Sequence, residues 1–167
     1  MQYNKVAKLL HWTMSGLIVF LLVLGLSLDS LENKSFFYPL HKSFGLLALF
    51  LVTIRLIWRI THTYPSLPKG TPSLLAFLAK ITILGLYFLM FFMPITGLLL
   101  SNSFGMPASF FGLFDITIIG KNLTLKNDFA SLHELGAFLL IALVLLHLLG
   151  GLFHHFVLKD NLLKRLF

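Results

Sequence analysis

The chain has 167 residues, of which 57% are hydrophobic and only 11% charged. A soluble domain carries about a quarter of its residues as charges, so this composition is that of an integral membrane protein. The absence of cysteine excludes disulfides, iron–sulfur clusters and thiolate zinc sites, leaving histidine as the plentiful metal-ligand type. The formal charge of +7 would suggest nucleic acid in a soluble protein. In this composition it reports membrane topology, and no nucleic-acid partner is expected.

The chain reads as an all-α, integral membrane four-helix bundle, a single membrane domain over residues 1–167 with spans at roughly 7–28, 41–60, 73–100 and 132–158. Lys5 and Lys8 precede an apolar run from Leu9 to Leu28 that suits a retained span better than a signal peptide, and no small-x-small cleavage site follows it. Asp29 and Glu32 flank its far end. Span two opens on His41 and closes with Arg55 and Arg59. Pro65, Pro68, Gly70 and Pro72 then end the helix and set a linker. Span three contains Pro94, where a kink is expected. Ser101–Ser131 is the longest loop, and its Phe110, Phe111 and Phe114 would lie at the interface or cap the bundle. Span four leads into a short tail, Lys159–Phe167.

Four spans put both termini on one side. That side holds Lys5, Lys8, Arg55, Arg59, Lys69, Lys80, Lys159, Lys164 and Arg165, against Lys34, Lys42, Lys121 and Lys126 on the other. The basic excess places both termini in the cytoplasm.

Span four carries His133 and His147, fourteen residues apart. Fourteen residues is four turns less about 40°, so both imidazoles fall on nearly one stripe, roughly 21 Å apart along the axis. Ionisable groups are costly in hydrocarbon, so two on one face imply something to bind. Topology assigns depths: His41 and His133 near the outer face, His11 and His147 toward the cytoplasm. Each pair joins two helices at one level, and two trans-axial imidazoles from facing helices are what six-coordinate haem b requires. Gly45, Gly136 and Gly150, near His41, His133 and His147, would leave room for a flat macrocycle. Arg55 lies fourteen residues after His41, at the level of His147, and could pair with a haem propionate or face the cytoplasmic headgroups. Arg59 reads as an interfacial anchor, Trp12 as a belt residue or haem contact, and His62 as solvated. His154 and His155 read as interfacial, with a quinone site or ligation as their other roles.

At these residues the chain resembles the bacterial cytochrome b561 family. The matching features are His11-Trp12, His41 followed by Gly45, His133-Glu134, His147, and His154-His155 leading into Lys159-Asp160-Asn161. The resemblance implies two haems b, ligated by the pairs His11/His147 and His41/His133, in the bacterial inner membrane. It further implies electron transfer from superoxide on the periplasmic side to ubiquinone, with the bilayer, a quinone and superoxide or a redox protein as partners. Lys34, Lys42, Lys121 and Lys126 could attract the anion. Two alternatives stay open: an electron-carrying anchor subunit for a separate dehydrogenase or hydrogenase, and a haem-free bundle whose histidines relay protons.

Overall fold

The computed structural model describes residues 2–68, 70–160 and 162–165. Lys69 of the basic count and Asn161 of the tail motif lie outside the described residues. Four helices carry the fold: α1 (Lys5–Ser27), α2 (Lys34–Thr61), α3 (Ser73–Ser103) and α4 (Leu123–Phe153), the last running on into a π-turn at His154–Leu158. Each is long and apolar enough to cross a membrane, so the protein is an all-α, multi-pass membrane bundle.

Asparagine starts three of the four helices. Asn4 accepts from the Ala7 amide at 2.8 Å, Asn33 from Phe36 at 3.3 Å, and Asn122 from Thr124 and Leu125 at 3.1 Å each. Each side chain satisfies amides that a first helical turn leaves without partners. Two of these caps move the expected boundaries. α2 begins at Lys34, ahead of His41, and runs through Pro39. α4 begins at Leu123 instead of residue 132, so the connection from α3 is residues 104–122 and not the whole of Ser101–Ser131. Lys126, Asp128 and Ser131 lower the hydropathy there without opposing a helix, because nothing in that stretch breaks one.

The extension makes α4 longer than one membrane crossing needs. Leu123–Leu158 is 36 residues, about 54 Å of helix against a hydrocarbon core of about 30 Å. Lys126, Asp128 and Glu134 all precede Leu135, and no charged residue follows until Lys159. The uncharged part of α4, Leu135–Leu158, is by itself long enough to cross such a core, and the first turns of the helix carry its charges.

Residues 104–122 fold as a cap against α2 and the end of α3. A two-residue antiparallel ladder pairs Ala108–Ser109 (β1) with Asp115–Ile116 (β2). Ser43 of α2 ties it down, donating to the Ser109 carbonyl at 2.8 Å and accepting from the Phe111 amide at 3.0 Å. Asn102 donates to the Ile116 carbonyl at 3.2 Å and accepts from the Ile118 amide at 2.6 Å. The phenylalanine patch belongs to this cap, with Phe111 edge-on to Phe44 of α2 and Phe110 stacked on Phe114.

At the opposite end the termini meet. The Tyr3 amide donates to the Arg165 carbonyl at 3.3 Å, and Arg165 Nη1 donates to the Ser66 carbonyl at 2.7 Å. Between the two ends, Met14, Val52 and Met90 form a tightly packed seam with Ile18, Leu86 and Tyr87 against it. α3 and α4 pack closely through glycines: a Cβ on Gly85 would lie 2.7 Å from Leu143 Cδ1, and one on Gly136 2.6 Å from Met93 Sδ. α1 and α4 make no such close backbone approach, and side chains and cavities lie between them.

Candidate functional site

The long histidine-bearing helix faces two others at two levels. His133 of α4 meets His41 of α2 with ring centres 6.4 Å apart and planes at 86°. His147 of α4 meets His11 of α1 at 6.3 Å and 66°. The structure thus brings together the same two pairs that topology put at common depths. A first-row metal binds an imidazole nitrogen at about 2 Å, with the ring centre roughly 1 Å behind it, so trans imidazoles on one iron stand about 6 Å apart. Both separations fit that arrangement. Among the described residues no group of three or more His, Asp or Glu side chains could hold a free metal ion. Two protein nitrogens per site instead suit a metal whose remaining ligands come with a macrocycle.

Each pair lines its own cavity. The one at the cap end measures about 390 Å³ and is walled by His41, His133, Gly25, Gly45, Gly97 and Pro94, among others. The one at the termini end measures about 190 Å³ and holds His11, His147, Arg55 and Arg59 with three tyrosines. Ile18 and Met90 border both cavities, so the packed seam is also the partition between them.

The glycines that crowd the imidazoles come from other helices than expected. A Cβ on Gly25 of α1 would lie 3.0 Å from His41 Cε1, and one on Gly97 of α3 would lie 3.0 Å from His133 Cε1. Gly45 lines the larger cavity as anticipated. Gly136 is spent on the contact with α3, and Gly150 is exposed with nothing near it. Sequence neighbours of a helical histidine share its helix, whereas the space over its ring belongs to the helix across.

The ring nitrogens are held differently at the two levels. Thr96 Oγ1 lies 3.0 Å from His133 Nδ1 while donating its own proton to the Phe92 and Met93 carbonyls at 2.9 and 3.0 Å. The hydroxyl must therefore accept from Nδ1–H, which leaves the lone pair on Nε2, the tautomer a metal ligand needs. Sequence reading missed Thr96, whose signal is its place on α3 opposite His133. His41 Nδ1 is buried without a hydrogen-bond partner. Arg55 Nη2 lies 2.9 Å from His11 Nδ1. A guanidinium can only donate, so this nitrogen accepts, and the contact is incompatible with Nε2 ligation by a neutral ring. Arg55 must turn from that nitrogen for His11 to serve as a ligand.

Arg59 departs from its expected role as an interfacial anchor. Its guanidinium lies 4.9 Å from the Tyr64 ring centre and 5.6 Å from that of Tyr87, turned toward the smaller cavity. Arg55 also lies over Tyr87, at 5.8 Å. Burial raises the Tyr64 phenol above its ordinary pKa and Tyr87 adds to this, against the opposing pull of Arg59 and Arg55, so Tyr64 stays a neutral donor. His154 is buried within the protein, and its Nδ1 bonds Asp160, which also caps the Leu162 amide. His155 lies edge-on to Phe156, His62 is exposed but stacks on Trp58, and Trp12 meets His11 edge-on. Of the four lysines expected to draw an anion, Lys42 lines the larger cavity, while Lys126 sits over Phe104 and Lys121 packs beside Gly105.

Comparison with known proteins points to one family. The family profile for prokaryotic cytochrome b561 matches residues 2–167. The chain is 33% identical to cytochrome b561 homolog 2 of Escherichia coli K12, covering 99% of this chain and 90% of that one. It is 30% identical to the probable superoxide oxidase CybB of Yersinia pestis, over 94% and 90% of the two chains. A third relative, cytochrome b561 homolog 1 of E. coli K12, is 26% identical over 99% and 96%. With the whole chain matched, and its long apolar helices bringing histidines together in pairs, the protein belongs to the prokaryotic cytochrome b561 family, membrane oxidoreductases of electron transport.

Proposed function

We propose that the protein is a di-haem b membrane cytochrome of the bacterial inner membrane, with both termini cytoplasmic, that moves electrons from superoxide on the periplasmic side to ubiquinone. Family membership implies haem b. The observation that carries the count of two is the presence of two imidazole pairs, 6.3 and 6.4 Å between centres, each on its own cavity. His41 and His133 would hold one haem, His11 and His147 the other. When bound, haem b supplies reversible one-electron chemistry at iron.

The chain's own residues account for the rest. Thr96 fixes the His133 ring in its ligating tautomer, and Gly25 and Gly97 let the two rings of the cap-end pair lie where they do. The Met14–Met90 seam keeps the two cavities separate. Lys42, half-buried on the cap-end cavity, places positive charge where an anionic donor would approach. Two superoxide ions each give up one electron and leave as dioxygen; ubiquinone takes both electrons and two protons. The similarity to a probable superoxide oxidase supports this direction of flow.

One observation favours a second reading, that of an electron-carrying subunit. The cap leaves Leu113, Ile118 and Phe114 exposed at 76%, 63% and 56% beyond the hydrocarbon, a surface on which a redox protein could dock. Rapid haem reduction by superoxide in the isolated protein separates the two readings in favour of the enzyme.

The central test is an optical redox titration with haem quantification on wild type, His133→Ala and His147→Ala. Two haems per wild-type chain and one in each variant are expected. A wild type holding one haem or none would overturn the scheme.

A further inference from the structure

The smaller cavity carries more positive charge than anything around it balances. Arg55 and Arg59 both line it, and no aspartate or glutamate does. Among the described residues the single ion pair is His154 with Asp160, so neither arginine has a carboxylate partner. Arg59 spends its guanidinium on the faces of Tyr64 and Tyr87, and Arg55 makes one hydrogen bond, to His11. Most of the N–H donors of two rigid forks are therefore without acceptors among the described residues, in half-buried positions toward a membrane helix end. Arginines within membrane helices pair or mark a ligand, because an uncompensated charge there is costly. The larger cavity differs, since Asp29 and Glu134 line it with Lys42.

We infer that Arg55 and Arg59, with the phenols of Tyr64 and Tyr87, form a carboxylate-binding rim for both propionates of the haem at the His11–His147 pair, and that the cap-end site has no equivalent. The inference rests on the di-haem reading. Two guanidiniums match two carboxylates in charge and in bidentate geometry. A quinone carbonyl is neutral and would leave the charge standing. Because Arg55 reaches His11, the anion it holds lies next to whatever lies between the imidazoles, which favours a carboxylate borne by that same molecule over a separate one. A propionate would also take over the guanidinium that the ligating form of His11 cannot accept. The rim fixes the orientation of the macrocycle, propionates toward the end where the termini meet.

The test uses single-site chains, His133→Ala to isolate the termini-end site and His147→Ala to isolate the cap-end site. Each is titrated in detergent with haemin and with haemin dimethyl ester, whose carboxylates are blocked, following the Soret band. At the termini-end site the ester should bind about tenfold or more weakly than haemin, as expected for lost charge-assisted hydrogen bonds. At the cap-end site the two should bind alike. Arg59→Gln should weaken haemin but not the ester, and Arg59→Lys should restore part of the difference. Equal binding of haemin and ester at the termini-end site overturns the rim, as does an Arg59→Gln penalty that persists with the ester. Loss of copurifying anionic phospholipid from Arg59→Gln with haemin affinity unchanged also overturns it, assigning the arginines to a lipid headgroup. Absence of a Soret band from both single-site chains overturns the di-haem reading itself.

Discussion

His133 and His11 show how one side chain type is prepared differently by a single contact. The Thr96 hydroxyl has its own proton committed to the Phe92 and Met93 carbonyls, so it can only accept from His133 Nδ1. Arg55 can only donate, so it imposes the opposite tautomer on His11. Outer partners of metal-bound histidine typically alter affinity by about 10–100-fold when removed. Thr96→Val keeps the shape and deletes the acceptor. Haemin affinity at the cap-end site, measured in a His147→Ala background, should fall by about tenfold, with helicity by circular dichroism unchanged. An unchanged affinity would mean that the ring is held without Thr96, by the Met93 backbone and by packing against Gly97 at its edge. That the histidines were legible in the sequence, and Thr96 was not, has a physical reason. An ionisable group in an apolar run announces its cost, whereas a threonine in a membrane helix can satisfy its hydroxyl on its own backbone.

At the scale of elements, the sequence showed that four long apolar helices are present better than where those helices begin. Hydropathy reports the solvent, and α4 passes from water to lipid without ceasing to be a helix. Its start at Leu123 was signalled by Asn122, an N-cap residue followed by no helix breaker, and the start of α2 by Asn33 in the same way. The inward turn of Arg59 was not legible, because it depends on Tyr64 folding back from the linker and on Tyr87 of α3. Nor was the use of Gly136, which a single helix cannot reveal. It lets α4 lie against Met93 and Phe92 of α3, where an added Cβ would come within 2.6 Å of sulfur and 3.3 Å of the ring. Gly136→Ala makes the Met93 thioether move and the Phe92 ring give by a few tenths of an ångström, an overpacking change that costs about 1 kcal/mol. Thermal unfolding in detergent should shift down, and both haems should be lost along one curve, because the α3–α4 contact carries residues of both sites. Loss of the cap-end haem alone would confine Gly136 to a local role beside His133.

At the scale of the whole molecule, the buried hydrophobic cluster of Met14, Val52 and Met90 does not lie at a site but between two. Met14 and Met90 are 1% and 8% exposed and Val52 is fully buried, in a bundle whose other surfaces are mostly given to lipid. Met90 borders both cavities, and unbranched methionine can fill an irregular partition that two differently shaped spaces leave behind. The histidine substitutions should each empty one address. Met90→Ala should not behave that way, because truncating a buried methionine costs about 2–5 kcal/mol and removes the side chain that both cavities share as a wall. Both sites should weaken together, with parallel losses in a haemin titration and a lower melting temperature. Phe138→Ala serves as the control: Phe138 lines the larger cavity only and is 57% exposed on its outer side, so its loss should leave the His11–His147 site intact. If Met90→Ala instead lowered occupancy at one site and spared the other, the seam would be part of a single binding pocket. The two levels of the bundle would then be independent modules, joined only by the helix they share.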